Sequence, residues 1–306
     1  MAQKYTQIIA EYPQIIEQKN LAELTTFNIG GNADLYFELS NIQDLPKIIE
    51  KADQLQIPYL ILGGGSNILF SENGFKGLII KITANTIEVK DNTIIADAGA
   101  LLSQIIQTAH KNNLSGMEKM TGLPGTIGGA VRGNAGAFGT ETMDIFQKAL
   151  IYNQENNIHE VEKDYFEFDY RSSKVKTNKD IVLQVHLKLK KSDPEKISKL
   201  QNETLEIIKS RRGKQPTGQT SGSFFKNPNR DLSAGYLLDQ AGCKGLQVGQ
   251  AQVSLQHANW IINLGGATQK DIIELANLMR ERVQEKFDVT LEPEVQFVGS
   301  DGFMKL

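Results

Sequence analysis

The stretch TGLPGTIGGAVRGNAGAFG, residues 121–139, decides how this chain is read. It holds seven glycines: Gly122, Gly125, Gly128, Gly129, Gly133, Gly136 and Gly139. Glycine lets backbone N–H groups approach a ligand with no Cβ in the way, and it reaches backbone angles closed to other residues. Pro124 is suited to open a short helix at its first position, with φ preset and no N–H to leave unpaired. A glycine-rich turn feeding a helix start suits an anionic phosphate, because unpaired N–H groups and the helix dipole both point at it. No Gly-Lys-Ser/Thr follows, so this is not a Walker loop, and the compact Gly-x-Gly-x-x-Gly of a Rossmann turn is also missing. Taken alone, the stretch also admits a flexible glycine loop.

A second glycine cluster narrows the choice. Residues 58–62 (PYLIL) read as a short buried strand, and Gly63, Gly64, Gly65, Ser66 and Asn67 follow immediately. Ile68, Leu69 and Phe70 then resume the apolar run. A strand that ends in three glycines plus Ser and Asn makes a tight turn with side-chain hydrogen-bonding groups. Two phosphate-suited loops in one domain point to a ligand with a pyrophosphate, such as a dinucleotide.

Composition excludes several classes. At 306 residues the chain exceeds a usual single core and implies two or three domains. Its 33 basic and 36 acidic residues leave a net charge of −3, with no basic tract to track a nucleic-acid backbone. No apolar run approaches the ~20 residues needed to cross a bilayer, and the amphipathic N-terminus lacks the apolar core of a signal peptide. Cys243 is the sole cysteine, which rules out an intrachain disulfide and fits a reducing cytoplasm. It reads as a small buried residue rather than a nucleophile. His110, His159, His186 and His257 are scattered without metal-ligand spacing, so no metal is expected.

Periodicity predicts an amphipathic helix over 3–18, a strand over 33–39, and a helix over 43–55 with Leu45, Ile48, Ile49 and Ala52 on one stripe. Short strands are expected at 77–82, 86–90 and 92–97, a helix at 101–112, and strands at 147–153 and 180–189. Ile181, Leu183, Val185, Leu187 and Leu189 share one face of the last. Asp193-Pro194 starts a helix over 194–211. A short helix follows near 233–241, then one at 268–286 that opens with a Thr268–Asp271 capping box. A final strand at 289–298 carries Glu292 and Glu294, which alternation places on one face. Strands and helices mixed without regular alternation make the fold class α+β.

Five motifs, in order along nearly the whole chain, carry a family resemblance. They are TTFNIGG at 25–31, GGGSN at 63–67, LPGTIGGAVRGNAGAFG at 123–139, SGSFFKNP at 221–228 and LEPEV at 291–295, with Tyr170-Arg171-Ser172 between the third and fourth. Together these resemble the UDP-N-acetylenolpyruvoylglucosamine reductase (MurB-type) family. The resemblance implies a two-lobed FAD-binding domain of the PCMH/vanillyl-alcohol-oxidase-like fold, lobe one at 1–70 and lobe two at 71–193. A C-terminal α+β substrate domain at 194–306 completes it. It further implies non-covalent FAD, with NADPH as hydride donor and a UDP-sugar enolpyruvyl ether as substrate. The setting would be peptidoglycan precursor synthesis in the bacterial cytoplasm, by a monomer with no nucleic-acid or membrane partner.

On the same basis, Gly63, Gly64, Gly65, Ser66, Asn67, Pro124, Gly125, Thr126, Gly128, Gly129, Gly133, Asn134 and Gly136 form the cofactor set. Ser223 matches the family's proton donor; a serine hydroxyl is a poor acid, and Lys214 or Lys226 would lend it positive potential. Arg171 matches the family arginine. A guanidinium binds a carboxylate bidentately and does not deprotonate, which suits an enolate whose charge grows in the transition state. Glu294 matches the family glutamate, to orient Arg171 or act as an acid; geometry alone does not separate it from Glu292. Tyr170, Lys214 and Asn227 align with substrate contacts, while His257 is as readily structural. Residues 172–222 contain no tyrosine, so this resembles the shorter subtype without the tyrosine-bearing insertion. Two other readings remain at this point: a different oxidase on the same flavin fold, and a nucleotide-binding module that has lost its chemistry.

Overall fold

The computed structural model describes residues 2–153, 155 and 157–304, with the side chains of residues 2, 211, 212 and 214 outside that description. The first helix, Ala2–Glu11, ends well before the expected residue 18. Pro13 is the cause, since it has no N–H to donate and its ring forces the preceding residue out of the helical region. The following segment, Ile16–Asn20, becomes a strand paired antiparallel with Asn32–Tyr36.

Two compact units result, each assembled from separated segments. One holds residues 1–13, 37–64 and 80–211; the other holds 14–36, 65–79 and 212–306. The chain passes from one unit to the other within strands Asn32–Leu39 and Phe75–Ile82.

The first unit is built on a five-stranded antiparallel sheet. Its order is Ile158–Glu162, Phe146–Tyr152, Ile181–Lys188, Thr93–Asp97, Ile87–Lys90. Ile181, Leu183, Val185, Leu187 and Leu189 are all buried, as period-two alternation requires. Val182 is buried too, where a register shift between Leu150 and Ile151 of the neighbouring strand breaks the alternation. Helix Leu45–Gln54 buries Leu45, Ile48, Ile49 and Ala52. Its N-cap Asp44 makes no side-chain cap bond. A cap is worth about 1 kcal/mol and each buried Leu or Ile roughly 1.5–3 kcal/mol, so the apolar stripe decides this helix. Phe146, Phe166 and Phe168 pack with ring centroids 4.7–5.2 Å apart, and anchor the segment that leads into Tyr170 and Arg171.

In the second unit, helix Gln269–Phe287 buries Ile272, Leu275, Ala276, Met279 and Val283 in one core with the strands Ala251–Val253 and Ile261–Asn263. Both halves of its capping box form: Asp271 N donates to Thr268 Oγ1 (3.1 Å), and Thr268 N donates to Asp271 Oδ2 (3.0 Å). Strand Ile68–Phe70 pairs parallel with Gln296–Gly299. Buried Gln269 donates through Nε2 to the carbonyls of Leu69 and Val298, one on each strand. The strand expected over 289–298 begins at Gln296, so no continuous strand carries Glu292 and Glu294 together.

Candidate functional site

In the first unit the two glycine loops meet backbone to backbone. A Cβ on Gly64 would lie 2.8 Å from Gly125 Cα, and one on Gly63 would lie 2.9 Å from Thr126 Oγ1. Gly128 presses equally close on Ala98. The helix that follows is Ile127–Gly133, with Thr126 as N-cap, so Pro124 precedes the helix instead of opening it. Gly125, at φ +112°, makes the break between them. The helix start also differs from a plain anion trap. Ile127 N and Gly128 N already donate to the carbonyls of Ala100 and Ala98, at 2.9 Å each. What this loop pair still offers is the Thr126 hydroxyl, which is buried, does not cap its helix and has no hydrogen-bond partner among the described residues. An unengaged buried hydroxyl beside a glycine-lined contact fits a polar cofactor group held at this place. A Cβ on Gly133 would meet nothing within 4 Å among the described residues, and one on Gly129 only Thr126 Oγ1, at 3.7 Å.

Arg171 stands on a hairpin turn of the same unit. Asp169 and Ser172 close the turn by exchanging two 3.1 Å backbone bonds. Arg171 takes φ +53°, a left-handed conformation that costs a side-chain-bearing residue about 1–2 kcal/mol. Its Nη2 donates to Gly136 O (3.1 Å), its Nη1 lies 3.9 Å from Glu141 Oε1, and Lys176 Nζ donates to its carbonyl (3.1 Å). Tyr170 is exposed, and its ring stacks under the Arg171 guanidinium at 5.1 Å. Asn134, at the C-cap of the glycine helix, is fully buried. Its Nδ2 donates to Glu141 Oε2 and to Asp169 O, both at 3.0 Å, and its Oδ1 accepts from Met143 N at 3.1 Å. Both amide hydrogens are engaged within the protein.

The second unit holds Ser223 and Glu294. Phe224 and Phe225 are buried, and Ser223 is exposed beside them. The segment is extended, with bridges Ser223↔Trp260 on one side and Phe225↔Pro293 on the other. Glu294 N donates to Phe224 O (2.8 Å), so the glutamate backbone is bonded to the residue next to Ser223. Asn67, expected in the cofactor set, directs its Nδ2 to Glu294 O (3.1 Å). Gly65 turns at φ +68°, where any Cβ would collide with Leu24 O, and Ser66 O accepts from Thr26 Oγ1. Glu292 separates from Glu294 by environment. It is exposed and paired with Lys226 Nζ at 3.0 Å, which ties down the lysine expected to assist Ser223. Asn227 Oδ1 accepts from Ala234 N, at the start of helix Ala234–Gln240. The Lys214 side chain lies outside the described residues. His257 Nδ1 accepts from Asn259 N (3.2 Å), and burial, reinforced by Lys244, holds its pKa below the ordinary histidine value.

Sequence reasoning missed two residues that shape these groups. Asn259 is buried and grips Phe225 by both N and O, at 2.9 Å each. Glu141 faces Arg171 across the glycine segment. Neither has a local signal, since an isolated Asn or Glu in a loop reads as surface.

Comparison with known proteins gives two profile matches. The profile described as "FAD binding domain" matches residues 33–161. That described as "UDP-N-acetylenolpyruvoylglucosamine reductase, C-terminal domain" matches 214–298. The chain is 38% identical over 279 residues to the UDP-N-acetylenolpyruvoylglucosamine reductase of Clostridium tetani (strain Massachusetts / E88), covering 90% of each. Among solved structures, UDP-N-acetylenolpyruvylglucosamine reductase from Thermus caldophilus superimposes with a TM-score of 0.78 at 34% identity, over 92% of this chain and 98% of that one. Phl p 4.0202, a glucose dehydrogenase, matches at a TM-score of 0.50 and 11% identity over 63% of this chain and 44% of that one, a likeness of fold alone.

Proposed function

The chain belongs to the UDP-N-acetylenolpyruvoylglucosamine reductase family, and from that premise we propose that it reduces UDP-N-acetylglucosamine enolpyruvate to UDP-N-acetylmuramate, with NADPH as hydride donor. The product would serve peptidoglycan precursor synthesis in the bacterial cytoplasm. The observation that carries this reading is the contact of Gly63 and Gly64 with Gly125 and Thr126, a glycine-lined joint with one unengaged hydroxyl.

Bound FAD would supply the hydride chemistry. Thr126 and the surrounding glycines, with Ser66 and Asn67, would hold it. The remaining tasks fall to this chain's own side chains. Reduction at C3 of the enolpyruvyl group leaves charge at C2 that delocalises onto the neighbouring carboxylate. Arg171 would bind that carboxylate, its fork preset by Gly136 O and Glu141. Ser223 would deliver the proton to C2, and Glu294 would act on the same half-reaction. Tyr170, Lys214 and Asn227 would contact the UDP-sugar.

Anaerobic stopped-flow absorbance tests the reading. The flavin-loaded protein is reduced with NADPH, then mixed with UDP-N-acetylglucosamine enolpyruvate. Rapid return of the oxidised flavin band is expected. Reduction without reoxidation would move the substrate elsewhere, and no flavin band after adding FAD would leave a bare nucleotide-binding module.

A further inference from the structure

The turn that carries Arg171 is not held by its own strand pair alone. Ser173 Oγ donates to Arg132 O (2.8 Å), and Arg171 Nη2 donates to Gly136 O (3.1 Å), so the turn is docked on the exit of the glycine helix. At the centre of this docking sits Asn134, with 0% of its surface exposed. One amide binds three groups: Asp169 O at the base of the turn, the Glu141 carboxylate that faces Arg171, and Met143 N. Asn134 itself takes φ +42°, a left-handed position that Asn tolerates better than other side chains.

We propose that Asn134 is a positioning residue for Arg171, fixing both the turn and the Glu141 carboxylate against which the guanidinium is set. The inference rests on the role given to Arg171 under Proposed function. Strained turns persist only where surrounding contacts over-determine them, and here the buried amide supplies one of those contacts at Asp169 O and fixes the Glu141 carboxylate beside Arg171. A residue expected to touch the cofactor thereby acts on the substrate side, because both its hydrogens are directed at protein acceptors.

Asn134→Gly tests this on the flavin-loaded protein, since glycine keeps the left-handed backbone and removes the amide. Flavin reduction by NADPH should stay within about twofold of wild type. Reoxidation by UDP-N-acetylglucosamine enolpyruvate should slow by at least tenfold. Asn134→Asp is similar in size and tolerates the backbone, but cannot donate to Asp169 O; it should show the same split if the glycine variant sheds its flavin. Adding Arg171→Ala to Asn134→Gly should slow reoxidation no further than Arg171→Ala alone, whereas multiplied effects would make Asn134 a general structural residue and overturn the proposal. Wild-type reoxidation in Asn134→Gly would overturn it as well. The NMR signal of Arg171 Nε–Hε gives a readout that needs no substrate: it should shift or broaden in both Asn134 variants, and an unmoved signal would sink the inference. Failure of wild-type protein to reoxidise would instead count against the proposed substrate, and the Arg171 signal would still decide the role of Asn134.

Discussion

At the scale of single residues, Ser223 and Arg171 show how motif and geometry divide the work. Nothing about a serine after glycine marks it as an acid; its neighbours in SGSFFKNP did. The structure adds that Ser223 is exposed while Phe224 and Phe225 anchor the segment in the core. General acid catalysis is worth roughly 10²–10⁴-fold, so Ser223→Ala should slow flavin reoxidation by that range and leave reduction by NADPH unchanged in stopped flow. Unaltered reoxidation would remove Ser223 as donor. Arg171 carries a conformational cost at φ +53° that glycine would not. Arg171→Gly and Arg171→Ala should therefore lose reoxidation alike, yet the glycine variant should be more stable by about 1 kcal/mol in urea unfolding. Equal midpoints would mean the turn relaxes. The choice of Glu294 over Glu292 was open to motif matching but not to spacing. Exposure is what distinguishes their environments, Glu292 being exposed and Glu294 half-buried.

Elements were legible where the signal is periodic. The stripes of Leu45–Gln54 and Gln269–Phe287 came straight from 3.6-residue spacing, and the Thr268–Asp271 cap from its four-residue pattern. The glycine helix was less legible. Its start moved from Pro124 to Ile127, and two of its first N–H groups turned out to be engaged by Ala98 and Ala100. No local pattern announces a carbonyl partner 27 or more residues away along the chain. The glycines of the element separate into two kinds, which gives a test. Gly64→Ala would drive a Cβ to 2.8 Å from Gly125 Cα, which is backbone and cannot swing aside. That variant should lose both apoprotein stability and FAD affinity. Gly133→Ala meets no described protein atom within 4 Å and has no left-handed φ. Its apoprotein should be as stable as wild type or up to about 1 kcal/mol more so, while FAD binding by fluorescence titration weakens. Full FAD affinity in Gly133→Ala would take Gly133 out of the cofactor set.

For the whole molecule, two half-buried histidines set a pH dependence. Burial holds His186 and His257 below their ordinary value, and a proton on His257 Nδ1 would remove the acceptor used by Asn259 N. An unfolded histidine titrates near about 6.5. With the folded values lower, the unfolded chain binds more protons just below that pH, so stability falls as pH drops through the window. The urea midpoint should decline from about pH 7.5 to about pH 5.5, and His257→Gln should reduce the decline; a flat profile would contradict the depressed values. Burial also pushes the Cys243 thiol up to about 11, in keeping with the small buried role read from its isolation. What the sequence by itself determined was whatever depends on neighbours within a turn or two: helical stripes, strand alternation, caps, and glycine loops able to accept close approach. Tertiary structure alone decided which loops meet, how the chain divides into two interleaved units, and which polar groups remain for a ligand. The reason is physical: every buried N–H and C=O must find a partner, yet local sequence does not name it. Asn134 reaches Asp169 across 35 residues and Asn67 reaches Glu294 across 227, and packing within each unit brings each pair within 3.1 Å.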